Sequence, residues 1–412
     1  SSLRSIMPSV CFYFEVHQPY RLKPYGALQV GNDHEYFDDK LNAEILRKVA
    51  EKCYLPANES MLRLIERTDG RFRISYAITG VVIEQMRRYQ PEVMDSFVRL
   101  AKTGAVEFVA ETYYHSLAAL YDKEEYKAQI DLEIELLRKE FGQTPRVFRN
   151  TELIYNDEIG QFIADLGFDA TLCEGADDVL DWRSPNFVYT AAGRDMKLLA
   201  KNYKLSDDIA FRFSNQAWAE YPLTAEKFAR WIHGHSGAGD VINLFMDYET
   251  FGEHQWRETG IFEFLEHLPD LLFTHPHWDI LTPSQAVDRY PALGELSFQR
   301  TVSWADEARD ISAWRGNAMQ QRALAEIYAL GDAIKKRNNS HLLALWRRLQ
   351  TSDHFYYMAT KSASDAEVHD YFSPYDGPYD AFIHYMNVMK DLKLSVLAPT
   401  ERRAPPEERI RP

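Results

Sequence analysis

Seven short apolar runs, at residues 10–14, 72–77, 106–109, 146–149, 170–172, 197–200 and 242–246, read as β-strands. Between most of them apolar residues recur every third or fourth position, the period of a helix with one buried face. Over 122–141 that stripe is Tyr126, Ile130, Ile134, Leu137 and Phe141, with Asp122 and Glu125 as a capping-box-like start and Gly142 as a stop. Residues 158–166 carry Ile159, Phe162, Ile163 and Leu166 ahead of Gly167, and 225–233 and 261–272 continue the alternation. Strand then helix, repeated, predicts an α/β fold with a parallel sheet covered by helices, because right-handed crossovers join such strands. A closed barrel and an open doubly wound sheet both fit. No glycine-rich phosphate loop follows the first run, which weighs against a dinucleotide-binding sheet. Beyond Pro283 the pattern changes: 306–336, 341–349 and 379–394 read as helices and strand signals are nearly absent. The expected division is a β/α domain over 1–283, a helical domain over 284–398 and a Pro- and Arg-rich tail over 399–412, poorly ordered.

Composition adds class and compartment. The 412 residues are 45% hydrophobic and 26% charged, an ordinary balance for a globular enzyme with one large domain and a smaller one. A net charge of −15 disfavours nucleic acid and anionic membrane surfaces as partners and is indifferent to a neutral substrate. Residues 1–8 hold no signal-peptide run and nothing approaches a membrane span, so a cytoplasmic location is expected. Cys11, Cys53 and Cys173 are odd in number and far apart, without a CxxC pair, and read as buried free thiols.

The chemistry concentrates just past the strand candidates. Asn150-Thr151-Glu152 follows the fourth run, and Asp247-Tyr248-Glu249-Thr250-Phe251-Gly252 follows the seventh. Carboxylates at the carboxyl ends of strands are where a β/α barrel places catalytic groups, and a facing carboxyl pair is the equipment for glycosidic cleavage. His17-Gln18-Pro19 follows the first run, and Glu111-Thr112-Tyr113-Tyr114-His115 the third. Two histidines at one barrel mouth can hydrogen-bond sugar hydroxyls or bind a metal; without an HxxH or HxxxH pair, no metal and no cofactor are expected. Aromatics make up 13% of the chain, and ring faces stack on pyranose rings. Trp256, in the loop leaving the seventh strand, and Trp304, where the helical region begins, are sugar-stacking candidates; Trp218 and Trp314 suit the core better.

Taken in order, these motifs resemble those of glycoside hydrolase family 57: His-Gln-Pro after strand one, Gly-x-Val-Glu before a Tyr-rich segment, a Glu after strand four and Asp-x-Glu-x-Phe-Gly after strand seven. A fifth resembles Gln350-Thr351-Ser352-Asp353-His354-Phe355-Tyr356-Tyr357. The resemblance implies a (β/α)7 barrel with a C-terminal helical domain and a retaining enzyme acting on α-glucans. It makes Glu152 the nucleophile and Asp247 the general acid/base, with Glu249 a competing acid or a sugar-hydroxyl acceptor. It places His17, His115, Asp353 and His354 against substrate. The segment Arg149–Tyr155 departs from the Trp-containing form of many relatives, which leaves substrate preference open. The expected activity is α-amylase-type hydrolysis of α-1,4 bonds, with a 4-α-glucanotransferase or branching enzyme as the alternative within the family. A metal-dependent polysaccharide deacetylase and an idle glucan-binding homologue are the readings from outside that chemistry.

Overall fold

The computed structural model describes residues 7–361 and 373–399. The expected tail lies, apart from Pro399, outside the described residues. In chain order the strands are β1 (Ser9–Val16), β2 (Ile74–Ile78), β3 (Val106–Phe108), β4 (Val147–Arg149), β5 (Ala170–Glu174), β6 (Val188–Ala191), β7 (Lys197–Lys201), β8 (Val241–Asp247), β9 (Asp279–Ile280) and β10 (Glu295–Leu296).

Seven of these close into a parallel ring. β1 pairs with β2 and β8, β2 with β3, β4 with β5, and β5 with β7. Two narrow joints complete it: a bridge between Ala110 and Phe148 links β3 to β4, and Lys201 opposite Asn243 links β7 to β8. The ring strands are the seven runs expected from the sequence, and closure decides for the barrel over the open sheet. β6 runs antiparallel along β7 and was not foreseen. Along each ring strand alternate side chains point inward. Cys11 and Tyr13, Ala77, Val109, Val147, Leu172, Leu199 and Phe245 fill the interior. Helix Pro283–Arg289 closes the amino-terminal mouth through Ala286 and Val287, and Lys197 Nζ donates to its Val287 carbonyl at 2.6 Å. The carboxyl-terminal mouth is left for polar groups.

Capping explains the outer helices. Helix Lys123–Phe141 starts where the Asp122 carboxylate accepts from Glu125 N–H at 3.0 Å and stops at Gly142 (φ 68°), whose N–H returns to Arg138. Helices Asp157–Asp165, Ala225–His233 and Ile261–Phe273 fall where the periodicity put them. The expected helix over 306–336 is broken into Ser312–Arg315, Ala318–Ala329 and Gly331–Arg337. Gly316 and Asn317 interrupt it because the Asn317–Gln320 capping box starts a new helix there. With Ser340–Arg348, Ser352–Tyr356 and Pro378–Leu397, these helices share one apolar core with the barrel layer: Trp314, Leu324, Trp346 and Tyr385 cluster with Tyr126, Ile130, Phe148 and Ile159. Cys11, Cys53 and Cys173 are buried and free. No described helix is long and apolar enough to cross a membrane.

Candidate active site

Strands β3 and β4 are short, and each is left through a left-handed residue: His115 (φ 51°) after β3, Glu152 (φ 58°) and Leu153 (φ 52°) after β4. Such a conformation costs an L-residue about 1–2 kcal/mol and persists where the surroundings hold it. Here they do. Leu153 N–H bonds Asn150 O at 3.0 Å, Trp304 N–H bonds Glu152 O at 3.1 Å, and the Asn150 amide caps Ile154 O at 2.9 Å. The turn swings the Glu152 side chain over the barrel mouth, where it is 7% exposed.

Three donors converge on that carboxylate. His115 Nε2–H and Ser352 Oγ–H donate to Oε1 at 2.9 and 3.1 Å, and the Trp304 indole N–H donates to Oε2 at 2.7 Å. His115 Nδ1–H donates to Glu111 at 2.9 Å. Burial alone would discharge His115, but the bonds to Glu111 and Glu152 outweigh it and hold its pKa well above the usual range, so it is an imidazolium. Burial prevails at the neighbouring Glu15, whose carboxyl is pushed well up despite Arg149 Nη1 at 3.5 Å, and Tyr13 O–H donates to it at 2.6 Å. Glu111 is held low, because the bonds and charge of His115 overcome its burial. Alternation thus places Arg149, the strand residue nearest Glu152, inside the barrel. Its guanidinium lies 4.5 Å from the centroid of the Trp304 ring, and Lys201 Nζ lies 5.3 Å from it.

His17 stacks on His115 with ring centroids 4.1 Å apart. Burial and that cation lower its pKa, and its partners fix the tautomer: Nε2–H donates to Asp353 at 2.8 Å while Nδ1 accepts from the Thr79 hydroxyl at 2.8 Å. The segment bearing Ser352 and Asp353 is moored to the barrel by Ser352 N–H to His115 O (2.8 Å) and Thr351 O–H to Tyr114 O (2.7 Å).

Asp247 ends β8 level with Glu15 of β1. The chain then turns sharply, and Gly252 (φ 107°) is required there, since a Cβ would lie 1.9 Å from the Lys52 carbonyl. Glu249 accepts from the Tyr54 hydroxyl in the buried floor of the turn. Burial, then the charge of Asp247, pushes its pKa up to about 8, so it is protonated at neutral pH.

Glu152, Asp247, His254 and Trp304 line two cavities at this mouth, of about 550 and 570 Å³. His17, His115, Glu249 and Asp353 join the second, with Gln18, Arg21 and Tyr357; Lys201, Asp207, Phe211 and Trp314 join the first. Of the residues singled out in the sequence, two stand elsewhere. His354 is buried behind Asp353 with Nε2 on the Arg348 carbonyl at 3.0 Å, and Trp256 is 58% exposed beneath Lys52. Trp218 packs on Trp231. Sequence reasoning missed His254, Ser352 and Glu111. Ser352 lies inside the fifth motif and Glu111 four residues before His115, so spacing alone carried a signal for both.

Among the described residues, two trios have donor atoms close enough to share a metal ion: His17, His115 and Asp353, and Glu15, Glu111 and His115. In each, both His115 ring nitrogens already bond carboxylates, and a metal would have to displace the proton that makes His115 a cation. The arrangement as it stands surrounds one carboxylate, Glu152, with three donors and sets a second, Asp247, in the same cavities, next to the buried acid Glu249. That is equipment for nucleophilic attack and proton transfer.

Residues 11–299 match the sequence profile of glycosyl hydrolase family 57. A Methanocaldococcus jannaschii protein named "Putative alpha-amylase" is 46% identical over 397 residues, covering 93% of this chain and 84% of its own. The fold resembles a family 57-type branching enzyme from Pyrococcus horikoshii, with a TM-score of 0.66 and 16% identity over 88% of this chain and 87% of that one. It also resembles a 4-alpha-glucanotransferase from Thermococcus litoralis, with a TM-score of 0.63 and 15% identity over 85% of this chain, which spans 56% of that protein's length. Profile and relative agree over most of the chain: it belongs to glycosyl hydrolase family 57.

Proposed function

We propose that the protein is a retaining α-glucan hydrolase of the α-amylase type, cleaving α-1,4 bonds by double displacement. One observation carries the reading: the Glu152 carboxylate accepts hydrogen bonds from His115, Ser352 and Trp304, which favour its ionised form, in a cavity that it shares with Asp247. Ionised Glu152 attacks the anomeric carbon while Asp247, protonated at the start, gives its proton to the leaving oxygen. Asp247, now a base, takes a proton from water, whose oxygen releases the sugar from Glu152. The buried carboxyl of Glu249 favours this cycle, since a neutral neighbour does not repel the charge that Asp247 gains. His17, His115 and Asp353 are assigned to the sugar at the cleavage point, and the helices over 284–398 to one wall of the cleft, with Ser352 and Asp353 as their reach into it. The alpha-amylase name of the 46% identical relative agrees with the hydrolytic form. The buried free thiols agree with a cytoplasmic location.

Incubation with maltooligosaccharides, with products resolved by length, tests the proposal. Shorter products alone establish hydrolysis. Longer and shorter ones together establish transfer to a sugar hydroxyl, the glucanotransferase or branching form of the same first step. No change in chain length refutes both.

A further inference from the structure

A third cavity, of about 880 Å³, opens beside the narrow joint between β7 and β8. Its lining mixes apolar surface with charge-balanced polar groups: Asp177 and Asp181 against Arg183 and Lys204, with Tyr203 and His235. Burial lowers the pKa of His235, which leaves it neutral. Balanced charge gives an ionic ligand no advantage, whereas interleaved donors and acceptors match a row of neighbouring hydroxyls.

At its rim, between the lining residues Asp181 and Arg183, stands Trp182, 83% exposed. Its ring contact is the adjacent Arg183 guanidinium, 5.6 Å from the ring centroid, and the turn that displays the indole is strained. Asp181 adopts φ 56° and ψ −116°, a conformation L-residues avoid, with its N–H on Asp177 O at 2.8 Å and the Arg183 N–H on Leu180 O at 2.9 Å. Strain of this kind concentrates at ligand contacts. An exposed indole on a held turn offers a flat apolar face of the kind that pyranose rings cover.

The cavity is coupled in space to the catalytic one through a single helix, Tyr203–Ala210. Asp207 and Ala210 line the catalytic side, and Tyr203 and Lys204 line this one. The Tyr203 hydroxyl donates to Asp177 at 2.6 Å, and Arg309 lies 3.9 Å from its ring centroid while pairing with Asp207. Eight residues of helix span about 12 Å, so the two cavities lie side by side.

We propose that this cavity and Trp182 form a second carbohydrate site, which holds an α-glucan chain beside the catalytic cleft. The ligand class rests on the function proposed above; the site itself rests on Trp182, its strained turn and the cavity. Trp182→Ala and Ala238→Trp, the latter placing bulk on an exposed lining residue, are compared with wild type in two assays. These are retention in native gels containing glycogen, and kcat/KM on maltopentaose.

The expected result is glycogen affinity about tenfold weaker in Trp182→Ala, the usual consequence of truncating an aromatic anchor, and weaker also in Ala238→Trp, whose added bulk fills the cavity. Melting temperature and kcat/KM on maltopentaose should not change. Variants that turn over maltopentaose and bind glycogen as wild type does overturn the second site and leave the catalytic reading standing. A wild-type protein that binds glycogen through Trp182 without turning over maltopentaose supports the site and refutes the catalytic reading. One that neither binds glycogen nor acts on maltopentaose refutes both.

Discussion

Replacing Trp304 by phenylalanine should remove one hydrogen bond from Glu152 and keep the ring that sits over Arg149 and Lys201. The bond is short, 2.7 Å from the indole nitrogen to Oε2, and its acceptor is charged. Hydrogen bonds to charged groups contribute about 1.5–3 kcal/mol. Since 1.36 kcal/mol corresponds to one pKa unit, losing it raises the Glu152 pKa by about 1–2 units. In the proposed mechanism Glu152 attacks as a carboxylate, so the acidic limb of the kcat/KM profile should move toward neutrality by the same amount. Well above both pKa values the rate falls less than it does on the limb. The assay is release of a chromogenic aglycone from a maltooligosaccharide across the acid and neutral range, with a thermal melt to confirm that the variant folds. Trp304→Ala, which also empties the space over the two cations, should lower the melting temperature as well. A folded Trp304→Phe protein whose acidic limb has not moved refutes the role given to the indole, whatever happens to its maximum rate.

Glu152→Gln should fold normally and lose several orders of magnitude in turnover, because a covalent step is removed rather than a binding contact; a variant keeping a tenth of wild-type activity would take Glu152 out of that role. Asp353→Asn should lower kcat/KM on maltooligosaccharides, and a variant matching wild type in both rate and melting temperature removes Asp353 from the site. Activity should survive prolonged exposure to a strong chelator; a loss restored by zinc would seat a metal among His17, His115 and Asp353 and favour the deacetylase reading. Glu249 has a folded-state pKa raised from 4.5 to about 8 by burial and by Asp247, so its contribution to stability is present at acid pH and lost as pH rises toward and through 8. Glutamine cannot ionise there, so the melting temperature of Glu249→Gln should gain on wild type from acid to alkaline pH. A constant gap would mean that Glu249 is not the buried acid described.

The barrel strands were legible because all seven are apolar runs set between amphipathic helices, and burial on both faces leaves that mark. Closure was not legible, because it hangs on Ala110 against Phe148 and Lys201 against Asn243, single pairings between residues distant in sequence. β9 and β10 are two residues each, too short to show a period, and β6 is an antiparallel insertion beside β7. Strand-end position marked Glu152 and Asp247 as candidates, and chain order supplied the family. Side-chain environment stayed hidden. Trp256 and Trp304 look alike in sequence as loop tryptophans, yet one is exposed under a lysine and the other donates to a carboxylate.

The geometry of Glu152 shows why periodicity stops short of a site. Sequence signals left-handed backbone through glycine or asparagine, and neither stands at 115, 152 or 153. Strands β3 and β4 are only three residues long, and the segments that leave them carry His115 and Glu152 to the barrel mouth on left-handed backbone. At Glu152 and Leu153 the turn costs about 1–2 kcal/mol each. The charge-assisted bonds from His115, Ser352 and Trp304 to Glu152 contribute about 1.5–3 kcal/mol apiece, enough to offset it. The contacts that hold the strained turn are therefore the same ones that favour the ionised form of its carboxylate. Trp304, which bonds Glu152 through its backbone N–H as well as its indole, links the two most directly. Phenylalanine at 304 keeps the first bond and loses the second, and so separates the shape of the turn from the charge it carries.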